Sequence, residues 1–249
     1  MRLEAPTQKS ADAGGDNRGG VLSPSQWHVY RKSISHDSSS SNSNSNILRT
    51  MAAPLTPHWP RPSHPDLLHV VHPCADPAAF ASRAISAVSL PPGTVFAELT
   101  SPPLTAAKGA AYNTVQTAAA MHMELNSDLV YINHSCVPSL EFDVERMVVR
   151  VAAGKALRQG DELTYFYPST EWAMVQPFHC RCGAGAAVCK GWIAGAAQMP
   201  AEALRGYWIN PWIRGALREE RVLEEEAGSR DGGGGDSGGV GEGRTMAGG

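Results

Sequence analysis

Three short stretches of this 249-residue chain carry the side chains best suited to chemistry. The first, Asn133-His134-Ser135-Cys136-Val137-Pro138-Ser139, sets an amide, an imidazole, a hydroxyl and a thiol in consecutive positions before a proline. The second, Gly160-Asp161-Glu162-Leu163-Thr164-Tyr165-Phe166-Tyr167, ends on a tyrosine whose hydroxyl can look into a pocket. The third joins Cys180, Arg181 and Cys182 to Cys189. Thiolate is the preferred soft ligand of structural zinc, and a closed tetrahedral site wants four donors. These three cysteines read either as part of such a set or as unligated buried thiols. His122 and His179 are further candidate ligands or bases, with His179 beside Cys180 as a spare metal donor. Taken singly, the first stretch also reads as a polar turn and the second as the start of a hairpin.

The elements that must hold these groups are mostly short strands. VFAEL (95–99) follows the turn signal Pro-Pro-Gly, and MVVRVAA (147–153) and ELTYFY (162–167) flank a connector closing in Gln-Gly-Asp. In ELTYFY, alternation puts Leu163, Tyr165 and Tyr167 on one face and Glu162, Thr164 and Phe166 on the other. Helical signals are fewer. Residues 114–125 are Ala-rich and apolar-periodic, and 200–205 open with a proline near the helix start. Trp208, Ile209, Trp212 and Ile213 read as the packing of a C-terminal helix or turn broken at Pro211. Strands do not alternate with long helices, so a doubly wound parallel sheet is excluded and the expected class is mainly β with short helices.

Composition limits the partners. Lys and Arg number 21 against 24 acidic residues, which argues against a polybasic nucleic-acid binder. No apolar run is long enough to span a membrane, so neither nucleic-acid nor membrane binding is expected. Five cysteines without an export signal point to reduced thiols and a nuclear or cytoplasmic address. Residues 1–50, with SSSSNSNSN at 38–46, bury too little apolar surface to order, and the Gly-rich 227–249 reads the same way. Met51 opens a more ordinary stretch and is a candidate alternative start.

Read together and in order, NHSCVPS, GDELTYFY and the cysteine group resemble the SET-domain family of protein lysine methyltransferases, whose signature joins NHSCxPN, GEELTYDY and a Cys-rich post-SET tail. The likeness is specific over 129–191, and SRAISAVSLPPGTVFAEL (82–99) is similar to the first SET strands. YNTVQTAAAMHMELNSDLVYINHSC (112–136) also looks like small fungal SET proteins. Departures are ASRAISA at 81–87 where relatives carry GxG, Val130 for an arginine, Phe166 for an aspartate and Ser139 for an asparagine.

The resemblance implies a β-clip-like SET fold of small sheets, with a pseudoknot-like crossing of the NHSC segment and the tyrosine strand. It divides the chain into a SET domain at 69–167, a post-SET cysteine segment at 178–194 and a C-terminal helical segment at 195–226. It implies methyl transfer from S-adenosylmethionine to a lysine of a protein or peptide substrate. In that scheme Asn133, His134 and Trp192 contact the cofactor, with Phe178 as a second aromatic candidate, and Tyr167 stands at the transfer point. Cys136 joins Cys180, Cys182 and Cys189 as zinc ligands, leaving Cys74 over. Tyr165 and Phe166 either line the channel or pack the strand. The missing GxG and aspartate support an alternative, a catalytically idle SET-like module that binds a peptide or scaffolds a complex.

Overall fold

The computed structural model of the chain describes residues 57–72 and 81–231. Residues 1–50, Met51, Cys74 and the last part of the Gly-rich tail lie outside the described residues. In chain order the strands are β1 (Leu68–Val71), β2 (Arg83–Ser86), β3 (Val95–Glu98), β4 (Thr105–Ala106), β5 (Thr114–Ala118) and β6 (Met121–Glu124). They continue with β7 (Asn133–His134), β8 (Leu140–Asp143), β9 (Val148–Val151), β10 (Thr164–Tyr165), β11 (Phe178–His179) and β12 (Trp192–Ile193). Two helices follow, α1 (Ala201–Leu204) and α2 (Pro211–Asp231). The class is therefore the mainly β architecture that the short strand signals lead one to expect, and no described helix is long and apolar enough to cross a membrane.

The strands form four small sheets, of which the largest has the order β3-β9-β8-β10-β7. Its core side is filled by Leu140, Phe142, Val149 and Val151, all sealed from solvent, with the Tyr165 ring stacked on Phe142 at a centroid distance of 4.2 Å. β10 runs parallel to both β7 and β8, and its Tyr165 pairs with His134 on one side and Leu140 on the other. Since β7 and β8 are joined by residues 135–139 alone, that link has to cross the inserted strand. Backbone bonds hold the crossing: Ser135 N–H donates to Tyr165 O at 3.0 Å and Ser139 N–H to Thr164 O at 3.1 Å. This threading brings the polar turn and the tyrosine strand together, and loop threading is rare enough among folds to be a specific feature.

The start of α2 is tied to the same region by one buried amide. Asn210 accepts from Val144 N–H at 3.0 Å and donates to Phe142 O and Ser169 O, each at 2.8 Å. Ile213 and Ala216 bury the first turns of the helix.

Three expectations change. Residues 114–125 form the β5–β6 hairpin instead of a helix. Alanine fits either period, while Thr114, Val115 and Thr117 are β-branched and favour a strand. The buried Gln116 then fixes the hairpin, donating from Nε2 to Ala119 O at 2.7 Å and accepting at Oε1 from Trp172 N–H at 2.9 Å. Pro211 opens α2 and breaks nothing, because the first helical position needs no N–H donor. ELTYFY contributes only Thr164–Tyr165 to a sheet, and Tyr167 begins the 3-10 turn Tyr167–Ser169.

A cavity beside a four-cysteine cluster

A cavity of about 700 Å³ opens where β7, β10 and the turn after β10 meet. Such a volume is ordinary for a small-molecule or cofactor pocket. Its wall includes Asn133 and His134 from β7, Tyr165 and Tyr167 from the tyrosine segment, and Phe178 from β11. Tyr131, from the 3-10 turn Asp128–Tyr131, completes an aromatic lining. Tyr165 and Tyr167 keep the common face that alternation assigned them, with ring centroids 4.6 Å apart, despite the short strand.

Tyr167 is fixed from two sides. Its hydroxyl donates to Ile132 O at 3.3 Å, and its backbone N–H donates to His134 Nδ1 at 3.2 Å. Burial pushes the Tyr167 phenol well above its ordinary range, so it stays a neutral donor at working pH. The Asn133 amide donates from Nδ2 to Ser82 O at 2.9 Å, inside the segment that replaces GxG, and Ala81 and Ser82 also line the cavity.

His134 connects the cavity to the cysteines. Burial lowers its pKa to about 4, so it is neutral, and the bond accepted at Nδ1 leaves the proton on Nε2. Nε2 lies 3.5 Å from Cys136 Sγ, an arrangement in which N–H faces a potential thiolate. The sulfurs of Cys136, Cys180, Cys182 and Cys189 all lie within 4.8 Å of one another. Zinc–thiolate bonds of about 2.3 Å in a tetrahedron put neighbouring sulfurs about 3.8 Å apart, and Cys136 and Cys180 stand at 3.8 Å. Further N–H groups point at the sulfurs, from Lys190 to Cys136 at 3.3 Å and from Cys182 to Cys180 at 3.4 Å. The donor set and its spacing thus fit a structural zinc ion. The six residues between Cys182 and Cys189 fit because Gly183 and Gly185, with φ of 71° and 78°, turn the loop back on itself.

Other candidates sit elsewhere. Trp192 is 48% exposed on β12, its ring 4.8 Å from that of His179, and it is not part of the cavity wall, whereas Phe178 is. His122 is buried on β6 and also outside the wall, with no partner for Nδ1 among the described residues. Phe166 packs away from the cavity, stacked on Tyr207 with ring centroids 3.9 Å apart, while the Tyr207 hydroxyl donates to Cys136 O at 2.8 Å. The aromatic that replaces an aspartate therefore braces the cysteine cluster.

One wall residue escapes sequence reasoning altogether. Glu171 is buried against the cavity, and burial raises its pKa to about 7 against the opposing pull of bonds from Gln116 N–H and Thr170 Oγ1. The available signal was that YFYPSTEWAMV (165–175) contains a single charged side chain, directly after the tyrosine segment.

Comparison with known proteins bears on this arrangement. The SET domain model matches residues 27–168. A curated protein of Aspergillus flavus, Methyltransferase flvH, is 48% identical over 166 residues, covering 67% of this chain and 89% of the relative. Both support a methyltransferase.

Proposed function

The chain belongs to the SET-domain family, and from that premise we propose that it transfers a methyl group from S-adenosylmethionine to the side-chain amine of a lysine in a protein substrate. The observation that carries the reading is the meeting of Asn133, His134 and Tyr167 around one aromatic cavity. S-adenosylmethionine supplies an electrophilic methyl carbon on a sulfonium when bound, and the Asn133–His134 edge of the cavity is where this chain would hold it.

The chain's own groups do the rest. Methyl transfer needs a neutral amine held on line with the carbon, so orientation and exclusion of water provide most of the rate. The neutral Tyr167 hydroxyl and the Ile132 carbonyl give the amine polar contacts, and the rings of Tyr131, Tyr165 and Phe178 favour a cationic methylated product. The four cysteines would hold zinc and pin residues 178–194 against the cavity, so that metal and cofactor affinity are coupled.

Titration calorimetry of S-adenosylmethionine into the full chain, before and after chelation, tests cofactor and metal together. Binding in the micromolar range that weakens at least tenfold on chelation is expected. Label transfer to a lysine peptide library then tests the substrate. A folded, metal-loaded sample that gives no heat with millimolar cofactor would overturn the reading in favour of an idle binding module.

A further inference from the structure

We propose that Glu171 receives the substrate's ammonium group in the cavity and takes its proton, leaving the neutral amine that methyl transfer requires. This rests on the methyltransferase reading above and adds a residue to it.

Glu171 is 8% exposed and lines the cavity together with Tyr165 and Tyr167. Its hydrogen bonds both fall on one oxygen: Oε1 accepts from Gln116 N–H at 3.0 Å and from Thr170 Oγ1–H at 3.1 Å. No donor among the described residues reaches Oε2, and Oε2 is not sealed in the interior either. No Lys, Arg or His forms an ion pair with this carboxylate among the described residues. A carboxylate buried without a cation is costly, so a charge-bearing partner is what the site lacks.

Its position is fixed as a working group needs. Thr170, with no exposure, and Gln116 lock Oε1, while Glu171 N–H donates to Tyr167 O at 3.0 Å and Glu171 O accepts from Ala196 N–H at 2.9 Å. The titratable groups facing it from the tyrosine segment are the Tyr165 and Tyr167 phenols, which burial keeps protonated. Elsewhere the same wall carries His72, His134, His179, Glu162, Arg181 and Cys182 beside the Tyr112 and Tyr131 phenols, and no described basic side chain among them forms an ion pair with Glu171. Burial has already brought the carboxyl to about 7, close to neutrality and poised to exchange a proton.

The step balances simply. One N–H bond of the ammonium breaks, its electron pair stays on nitrogen, and an O–H bond forms on Glu171. The ion pair becomes an uncharged pair, which the desolvated cavity favours, and the proton passes to water once the product has left the cavity.

Glu171→Gln keeps the size and the Oε1 acceptor and removes the proton site. With n-butylammonium as probe, calorimetry on the full chain should show at least tenfold weaker binding to E171Q than to wild type, and equal binding of neutral n-pentanol. For wild type alone, butylammonium binding near pH 7 should release protons, read as a heat that depends on the buffer's ionisation enthalpy. This second measurement stands even if E171Q does not fold. On lysine peptides kcat of E171Q should fall about a hundredfold at pH 7 and recover toward alkaline pH, and the gap should narrow when thialysine, a weaker base, replaces lysine. Equal butylammonium affinity in the two proteins, no proton release in wild type, or matching pH profiles would each overturn the proposal. Failure of the parent reading looks different: wild type would methylate no amine, while the butylammonium data would still judge Glu171.

Discussion

At the scale of single residues, Tyr167 joins the two halves of the site because both its hydroxyl and its backbone N–H are committed, one to Ile132 and the other to His134. Removing the hydroxyl leaves the second bond and the ring packing intact. Tyr167→Phe should therefore fold normally and bind S-adenosylmethionine within about twofold of wild type, while kcat falls by roughly 10². Single-turnover methylation alongside cofactor titration separates the two, and an unchanged kcat would remove Tyr167 from the transfer point. The residues that sequence alone brought forward, Asn133, His134, Tyr167 and the four cysteines, belong to compact motifs whose spacing is local. Glu171 was invisible for the opposite reason: its importance comes from Gln116, 55 positions earlier, whose N–H it accepts. Trp192, an aromatic close to the cysteines in sequence, lies beside His179 on β12 and does not line the cavity.

At the scale of elements, what the chain's pattern revealed and what it hid follow from contact range. β3 and β9 were legible because short stretches of strand-forming residues, Val95 and Phe96 in one and three valines in the other, sat beside turn signals, and α1 because Pro200 stands at its N-cap. The β5–β6 hairpin was not, since its alanines fit a helical period as well as a strand's, and the passage of β10 between β7 and β8 was not, since β10 pairs with partners distant in sequence. Another such long-range contact occurs where residues 194–197 lie against the chain after Glu171. Met174 N–H donates to Ala194 O at 2.9 Å and Ala197 N–H to Trp172 O at 3.0 Å. Gly195 permits the approach: a Cβ there would stand 2.5 Å from Trp172 O and 2.8 Å from Ala173 Cα, at a φ of +108°. Both obstructions are backbone, so they cannot rotate aside. Gly195→Ala should cost about 3 kcal/mol or more in urea unfolding. Gly154→Ala, with nothing within 4 Å, should stay within about 0.5 kcal/mol. Because Ala196 N–H holds the Glu171 carbonyl, whatever G195A protein folds should also lose activity.

At the scale of the whole molecule, keeping an unpaired carboxyl inside a cavity sets function against stability, and the sign of that conflict can be read from pH. Glu171 has a pKa of about 7 when folded, raised by burial above the ordinary 4.5. Between those values the folded chain binds more protons than the unfolded one, so this group's contribution to stability falls as pH rises through the window. The full loss is about 3 kcal/mol, reached above pH 7. Other groups act in the opposite direction. Burial lowers the pKa of His64 and His122, so their protonation destabilises the fold as pH falls below 6.5. Asp143, despite a desolvation cost, is held below its usual range by bonds from Arg146 and Arg150, and its stabilisation is lost only in stronger acid. Those terms are common to wild type and Glu171→Gln and cancel in the difference between them. Urea unfolding of the two proteins across pH 4.5 to 8 should thus show E171Q gaining on wild type by about 3 kcal/mol up to neutrality, then running parallel to it. A difference flat across the whole range would mean that Glu171 titrates as an ordinary exposed carboxylate. The conflict between function and stability assigned to this carboxyl would then not exist.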